Sequence, residues 1–453
     1  MHNLNKLYTT YFFGVLLNAM VHIGTKGSKA FKINGLNSNS NSGGNEVVSK
    51  KIFKMGAIVA AAALFVGCAD NGDPGTGNEN GNSEESFTIY MNTPLTGSLS
   101  NVARANVATL EVVVEAINAE GGILGRQVEI IVADDQLDTT RAVTLLQEQI
   151  DKEVPDLVLM GATSNTGLAM LPLLSRNKII SAAVMQSSAI NDPGQYPYVF
   201  VPYVESKADA EGLVAELTAR GAKKIALLTA NDANGQSTSG GMIPVFEAEG
   251  FEVFHEEYAP DATDMTPQLL RLQSQSPDAL VIQAFGAATS HILTGRTKLG
   301  WDVPTLGHSS IGLGQDLSDI SSEADWDNIF LGVFPVTAGN APGDSQILSN
   351  LIAEVKAKGD PVGQSLHYYS VYWDLLWLLK KGFDQAGSLD ADEVKSALEN
   401  LQPNAEIDSK LLTFPVEYMR WSPESHFFEI PGSVVMDYVK PGPLVDGVIQ
   451  SID

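Results

Sequence analysis

The segment GATSNTG (161–167) is the stretch of this 453-residue sequence best suited to hold a small molecule. Ser164, Asn165 and Thr166 can cap a helix there while their hydroxyls and the first backbone N–H groups face outward, and the positive end of a helix dipole favours a carboxylate. The dipole contributes only about 0.3–1 kcal/mol, whereas a micromolar ligand needs about 8 kcal/mol, so many other groups must contribute. Plain helix capping is the competing reading of the same residues. Four further turns are rich in small polar groups: NTPLTGSLSN (92–101), VMQSSAINDPG (184–194), NDANGQST (231–238), and the pair AFG (284–286) with GHSSIG (307–312). Phe285 either stacks on an apolar part of a ligand or fills core.

Bond-making chemistry does not assemble from these residues. His308 beside Ser309 suggests acyl transfer, but GHSSIG does not match G-x-S-x-G, no Asp partner is assignable, and the serines suit a turn. GATSNTG is neither a dinucleotide fingerprint nor a phosphate loop, because no Gly-Lys-Ser/Thr ending follows. The seven His residues (2, 22, 255, 291, 308, 367 and 426) have no paired spacing and there is a single Cys, so no metal centre and no cofactor is expected. With 28 Lys plus Arg against 54 Asp plus Glu, a net charge of −26 and no basic cluster, nucleic acid is excluded as a partner.

The turns follow short β-rich runs that alternate with amphipathic stretches, the pattern of a parallel sheet covered by helices. FTIYM (87–91), VEIIVA (128–133), DLVLM (156–160) and KIISAA (178–183) read as strands of one doubly wound lobe. Val107, Leu110, Val114 and Ile117 lie at three- and four-residue steps on one helical face between the first two. The rhythm restarts after YPYVFVPYVESKADAEG. KIALLT (224–229), FEVFHEEY (251–258), ALVIQAF (279–285) and VPTLGH (303–308) alternate with helices near 206–219, 238–249, 266–275 and 288–299. NIFLGVF (328–334) is expected as the strand that returns the chain to the first lobe, where LHYYSVYWDLLWLLKKGFDQA (366–386) forms a long buried helix. In open parallel sheets ligands bind beyond the carboxyl ends of the strands, which is where the polar turns fall.

The run KKIFKMGAIVAAAALFVGC has a basic start, apolar residues from Met55 to Val66, and Gly67 directly before Cys68. Twelve residues of helix span about 18 Å, short of the roughly 30 Å hydrocarbon core. The segment resembles a lipoprotein signal with its lipobox, which implies acylation of Cys68; Phe65 departs from the Leu usual three positions before the cysteine. Residues 1–47 read as an over-early start, with translation beginning near Val47 or Val48. ADNGDPGTGNENGNSEES after Cys68 reads as a flexible tether. Residues 1–67 hold 7 basic residues and 1 acidic one, so the remaining 386 carry 21 against 53, a net −32.

From Ile89 to Gly307 the successive blocks PLTGSLS, INAEGGILGRQVEIIVADDQLDTTRAV, GATSNTG, INDPGQYPYVF, GAKKIALLTANDANGQS and APDATDMTPQLLRL, with WSPESHFF (421–428) near the end, resemble the type I periplasmic solute-binding proteins that include the branched-chain amino-acid-binding proteins of ABC transporters. The resemblance implies an α/β fold of two doubly wound parallel-sheet lobes joined by a hinge. It divides the chain into a leader and signal peptide (1–67), a tether (68–86), an N-terminal lobe (87–203 plus 335–428) and a C-terminal lobe (204–334 plus 429–453). It implies ligand contacts at Leu99, Ser100, Ser164, Asn165, Thr166, Gln186 and Ser187 from the first lobe and at Asn234, Phe285 and Ser309 from the second. Asn234 and Phe285 stand where Tyr is common, and Ser309 stands near where an acidic residue would hold an ammonium. A pocket without that carboxylate disfavours a free α-amino acid unless Asp232 substitutes, and suits an amide, a urea-like solute or a carboxylate lacking the amine. The implied function is a monomeric, exported, lipid-anchored binding protein, not an enzyme, that closes on a small polar solute and delivers it to a membrane permease. A sensor on the same scaffold, reporting to a regulatory partner, is the alternative.

Overall fold

The computed structural model describes residues 85–161, 163–313 and 321–451. The leader, the lipobox with Cys68 and most of the tether therefore lie outside the described residues. The expected pair of doubly wound sheets is present. The first contains β1 (Phe87–Thr93), β2 (Val128–Asp134), β3 (Leu157–Met160), β4 (Ser181–Ala183) and β5 (Val199–Phe200) in the order β2-β1-β3-β4-β5, every pair parallel. The second contains β6 (Lys224–Ala230), β7 (Glu252–Tyr258), β8 (Ala279–Ile282), β9 (Thr305–Gly307), β10 (Ile329–Val333) and β11 (Asp437–Val439) in the order β11-β10-β9-β8-β6-β7, with only β11 antiparallel to its neighbour.

Parallel strands need crossovers, and the intervening amphipathic stretches supply them. The helices are α1 (Ser100–Ala119), α2 (Thr139–Lys152), α3 (Ser164–Arg176), α4 (Ser206–Ala219), α5 (Ala233–Ala248), α6 (Thr266–Gln273), α7 (Ala287–Lys298), α8 (Ser309–Leu313), α9 (Ser345–Ala357) and α10 (Leu366–Ala386). Helices on both faces explain why LVLM in β3 and ALVI in β8 are buried at every position instead of alternating. One continuous core unites the first sheet with α1, α3, α10 and the residues around Phe427, whereas the second sheet has a separate core on each face.

NIFLGVF contributes β10, which pairs inside the second sheet with β9 and β11. The return comes immediately after it, since Phe334 and Val336 already belong to the first lobe's core. The chain then reaches α10, whose long apolar run is buried almost throughout and stops at Gly387, in the left-handed region at φ 63°. WSPESHFF closes against the first lobe, with Trp421 Nε1 donating to Val201 O at 2.9 Å, before β11 recrosses to the second sheet.

Two of the expected boundaries move. Helix α5 starts at Ala233 instead of near 238 because Asp232 caps it, accepting from Gly235 N at 2.9 Å, so a turn-like composition folds as a first helical turn. Glycine is required at 235, where an added Cβ would lie 1.8 Å from Ala230 O. The serines of GHSSIG likewise open the short helix α8 and are buried in the fold.

Candidate functional site

Beyond the carboxyl ends of both sheets lies a cavity of about 550 Å³ that both lobes line. The first lobe contributes Leu99 at the start of α1, Thr163, Ser164 and Asn165 at the start of α3, and Val184 to Gln186 after β4. Asp232 and Asn234 at the start of α5, and Phe285 to Ala288 after β8, face them from the second lobe. Glycine at 161 lets the α3 loop cross β1 closely, since a Cβ there would lie 2.1 Å from Asn92 O.

Six of the ten residues named as contacts line this cavity: Leu99, Ser164, Asn165, Gln186, Asn234 and Phe285. Ser100, Thr166, Ser187 and Ser309 do not. Ser100 accepts from Arg104 Nη2 at 3.3 Å along α1. The Thr166 hydroxyl turns back into the cap of α3, donating to Thr163 O at 2.9 Å, while Thr163 Oγ1 accepts from Thr166 N. Ser187 is buried beside a contact between the lobes, where Ser188 N donates to Ser237 Oγ at 2.8 Å.

Ser309 belongs to a buried network in the second lobe. Its hydroxyl donates to Asp209 Oδ2 at 3.3 Å, and Gln186 Nε2 from the first lobe donates to the same oxygen at 2.8 Å. His308 Nε2 lies 2.7 Å from Asp209 Oδ2 without hydrogen-bond alignment, and His308 Nδ1 accepts from Ser310 N at 3.1 Å. The sequence gives His308 no assignable Asp partner, and folding supplies Asp209 from the first turn of α4. His308 is 1% exposed, Ser309 is fully buried and neither lines the cavity. The network therefore suits holding charge and position inside the fold more than attacking a bond.

The rest of the cavity wall was not legible as a site. Tyr203, at the crossing between lobes, lines it together with Asn106 of α1, Tyr258 at the end of β7, and His367, Tyr368 and Tyr372 of α10. The one available signal was Tyr368 and Tyr372 at i and i+4, which places two polar tips on one face of an otherwise apolar helix. His367 is stacked on Phe334 with ring centroids 3.9 Å apart, and complete burial pushes its pKa down to about 3. Desolvation raises the Tyr203 phenol well above its ordinary range, with the Asp209 charge adding to the effect. Among the described residues, Asp232 is the one acidic residue on the wall and no Lys or Arg lines it. Asp232 Oδ1 is already engaged by the α5 cap. Among the described residues no group of His, Cys, Asp and Glu is arranged to hold a metal ion, and no helix is long and apolar enough to cross a membrane.

The profile of a family described as periplasmic binding protein matches residues 86–414. Among solved structures, a periplasmic binding protein type 1 from Bordetella pertussis Tohama I shares 21% identity over 79% of this chain and 96% of its own, with a TM-score of 0.66. A leucine-binding protein from Thermotoga maritima shares 18% identity over 69% of this chain and 87% of its own, TM-score 0.60. A solute-binding protein of an ABC transporter from Rhodopseudomonas palustris BisB5, solved with 3,4-dihydroxybenzoic acid, shares 18% identity over 81% and 96%, TM-score 0.61. No curated protein sequence matches. At these identities the likeness is one of fold.

Proposed function

Because the chain belongs to the periplasmic binding protein family, whose members bind small solutes and serve ABC transporters outside the cytoplasm, we propose that it is an exported, lipid-anchored solute-binding protein. In this reading it closes on a small polar solute and hands it to a membrane permease. The observation that carries the reading is the cavity itself, which residues from two separate sheets line at the ends of their strands. A ligand that touches Ser164 and Asn165 on one side and Asn234 and Phe285 on the other makes its full set of contacts only when the lobes are together. It binds the closed arrangement more tightly than the open one, and so shifts the population toward closure. The closed form is then the signal a permease reads.

Ligand chemistry is not dictated by the fold, since its solved relatives include a leucine-binding protein and one holding 3,4-dihydroxybenzoic acid. The wall favours solutes without a free ammonium, because among the described residues only Asp232 could pair one and its Oδ1 is already engaged. Cys68 is the proposed site of lipid attachment. The testing experiment is a thermal-shift screen of the purified protein against amino acids, amides, ureas and small carboxylates. A ligand that binds only the native state raises the melting temperature, by about 2.7 kcal/mol of added stability at a hundredfold excess over Kd. No shift across all four classes would count against solute binding in this cleft.

A further inference from the structure

Resting on the reading that the cleft holds a solute, we propose that the solute is a phenolic carboxylate, its carboxylate at the start of α3 and its ring hydroxyl against the wall formed by Asn106, Tyr203, His367 and Tyr368. That wall combines ring surface with polar atoms that the fold leaves unused. Both ring nitrogens of His367, Asn106 Oδ1 and the Tyr203 hydroxyl are buried without a hydrogen-bond partner. The Tyr203 hydroxyl lies toward Ser309 without reaching ordinary hydrogen-bond geometry. These residues lie on three separate elements, α1, the crossing after β5 and α10, yet all line one cavity and Asn106, Tyr203 and His367 are at most 2% exposed.

Buried polar groups are paired in the great majority of cases, so a cluster of unused ones along a binding cavity marks where a ligand supplies the partner. His367, held neutral by burial, presents one donor and one acceptor. A ring hydroxyl, with one proton and two lone pairs, can accept from the protonated nitrogen of His367 or from the Tyr203 phenol while donating to Asn106 Oδ1. An alkyl chain in this place would leave all of them unpaired.

The remaining wall selects the body of the molecule. Leu99, Val102, Val184, Tyr258 and Phe285 present apolar or aromatic surface. A sugar, polar around its whole rim, would leave that surface in contact with hydroxyls, whereas a flat ring suits both it and the tyrosines through edge-to-face contact. With no Lys or Arg on the wall, the start of α3 is where an anion finds backbone N–H donors and the Ser164 hydroxyl together. An α-amino acid would additionally bring an ammonium to a wall whose one carboxylate caps α5.

The test is isothermal titration calorimetry of the intact protein with 4-hydroxybenzoate, benzoate, cyclohexanecarboxylate, glucose, leucine and acetamide. We expect 4-hydroxybenzoate to bind at least tenfold more tightly than benzoate, and benzoate more tightly than cyclohexanecarboxylate. Asn106→Leu and Tyr203→Phe should each shrink the preference for the hydroxyl. Benzoate binding also reports that each variant is folded. A preference for glucose, leucine or acetamide would overturn the ligand class while leaving the two-lobed clamp standing. A hydroxyl preference that survives in both variants would overturn the assignment of the wall. Absence of saturable heat with all six would overturn the proposal and the reading beneath it together.

Discussion

Gln186 Nε2, on the loop after β4, donates to Asp209 Oδ2, in the first turn of α4, at 2.8 Å, and both side chains are buried. This single bond ties a residue of the cavity wall in one lobe to a buried charge in the other. The same amide approaches Ser309 Oγ at 3.3 Å, and the Gln186 carbonyl accepts from Ser237 Oγ on α5 at 3.2 Å. Whatever touches Gln186 in the cavity is thereby coupled to the second lobe through the protein interior.

Replacing Gln186 with Met keeps the volume and removes the donor to Asp209. The carboxylate retains only Ser309 and the neighbouring His308, and its Oδ1 has no partner to compensate. We expect a loss of about 1–3 kcal/mol in chemical denaturation, the usual cost of a buried group left short of a hydrogen bond. An unchanged midpoint would show that the bond contributes nothing to holding the lobes.

At the cavity, Ser164→Ala and Phe285→Ala should each weaken solute binding about five- to tenfold, since a neutral hydrogen bond or an exposed ring contact is worth about 1 kcal/mol. Phe285 is 36% exposed and Ser164 caps nothing, Thr163 being the cap of α3, so neither change should lower the melting temperature by more than about 2 °C. Calorimetric affinities equal to the parent in both variants would place the solute elsewhere.

Two buried groups should tilt stability with pH in opposite directions. Burial pushes the Asp374 carboxyl up to about 7, even though it accepts from Leu412 N at 2.8 Å and Thr413 N at 2.7 Å. Its contribution is fully present below the unfolded carboxyl pKa and is lost as pH rises through about 7, because the folded state keeps a proton that the unfolded chain has released. His367 is depressed to about 3, so its contribution is present above the unfolded imidazole pKa of about 6.5 and is lost as pH falls toward 3. Each is worth at most about 1.4 kcal/mol per pH unit within its window, and between about pH 4 and 6.5 the two largely cancel. Urea denaturation across that range should therefore show a more positive slope with pH in Asp374→Asn than in the parent, and a more negative slope in His367→Phe. Parallel curves for all three proteins would refute the assignment.

Gly235→Ala forces a methyl group to within 1.8 Å of Ala230 O, at the junction of β6 and α5. The junction must shift, moving Asp232 and Asn234 with it, and we expect about 1–3 kcal/mol of destabilisation together with weaker solute binding. Gly240, where a side chain meets open space on the same helix, is the control: Gly240→Ala should be neutral or stabilise slightly.

The alternation of strands and helices was legible because burial on both sides of a parallel sheet imposes unbroken apolar runs such as LVLM and ALVI, separated by helical periodicity. Polar turns after strands were legible for a related reason: an open parallel sheet leaves its ligand crevice at those ends. Local chemistry misled where a cap was hidden in turn-like composition. NDANGQST reads as a loop until Asp232 is seen holding Gly235 N, and Thr166 reads as a contact until its hydroxyl is seen inside the α3 cap.

Sequence alone determined the alternating architecture, the acidic surface, and the polar turns that surround the cavity, since each follows from residue type and near-neighbour spacing. Tertiary structure alone decided that Asp209 meets His308 and Gln186, that Ser309 is buried away from the cavity, and that Asn106, Tyr203 and His367 share its wall. Asp209 and His308, and likewise Asn106, Tyr203 and His367, are separated by about a hundred positions or more within their own lobes, whereas Gln186 and Asp209 lie 23 positions apart and meet across the two lobes. No periodicity within a single element encodes that arrangement, because only the packing of one element against another fixes which side chains converge.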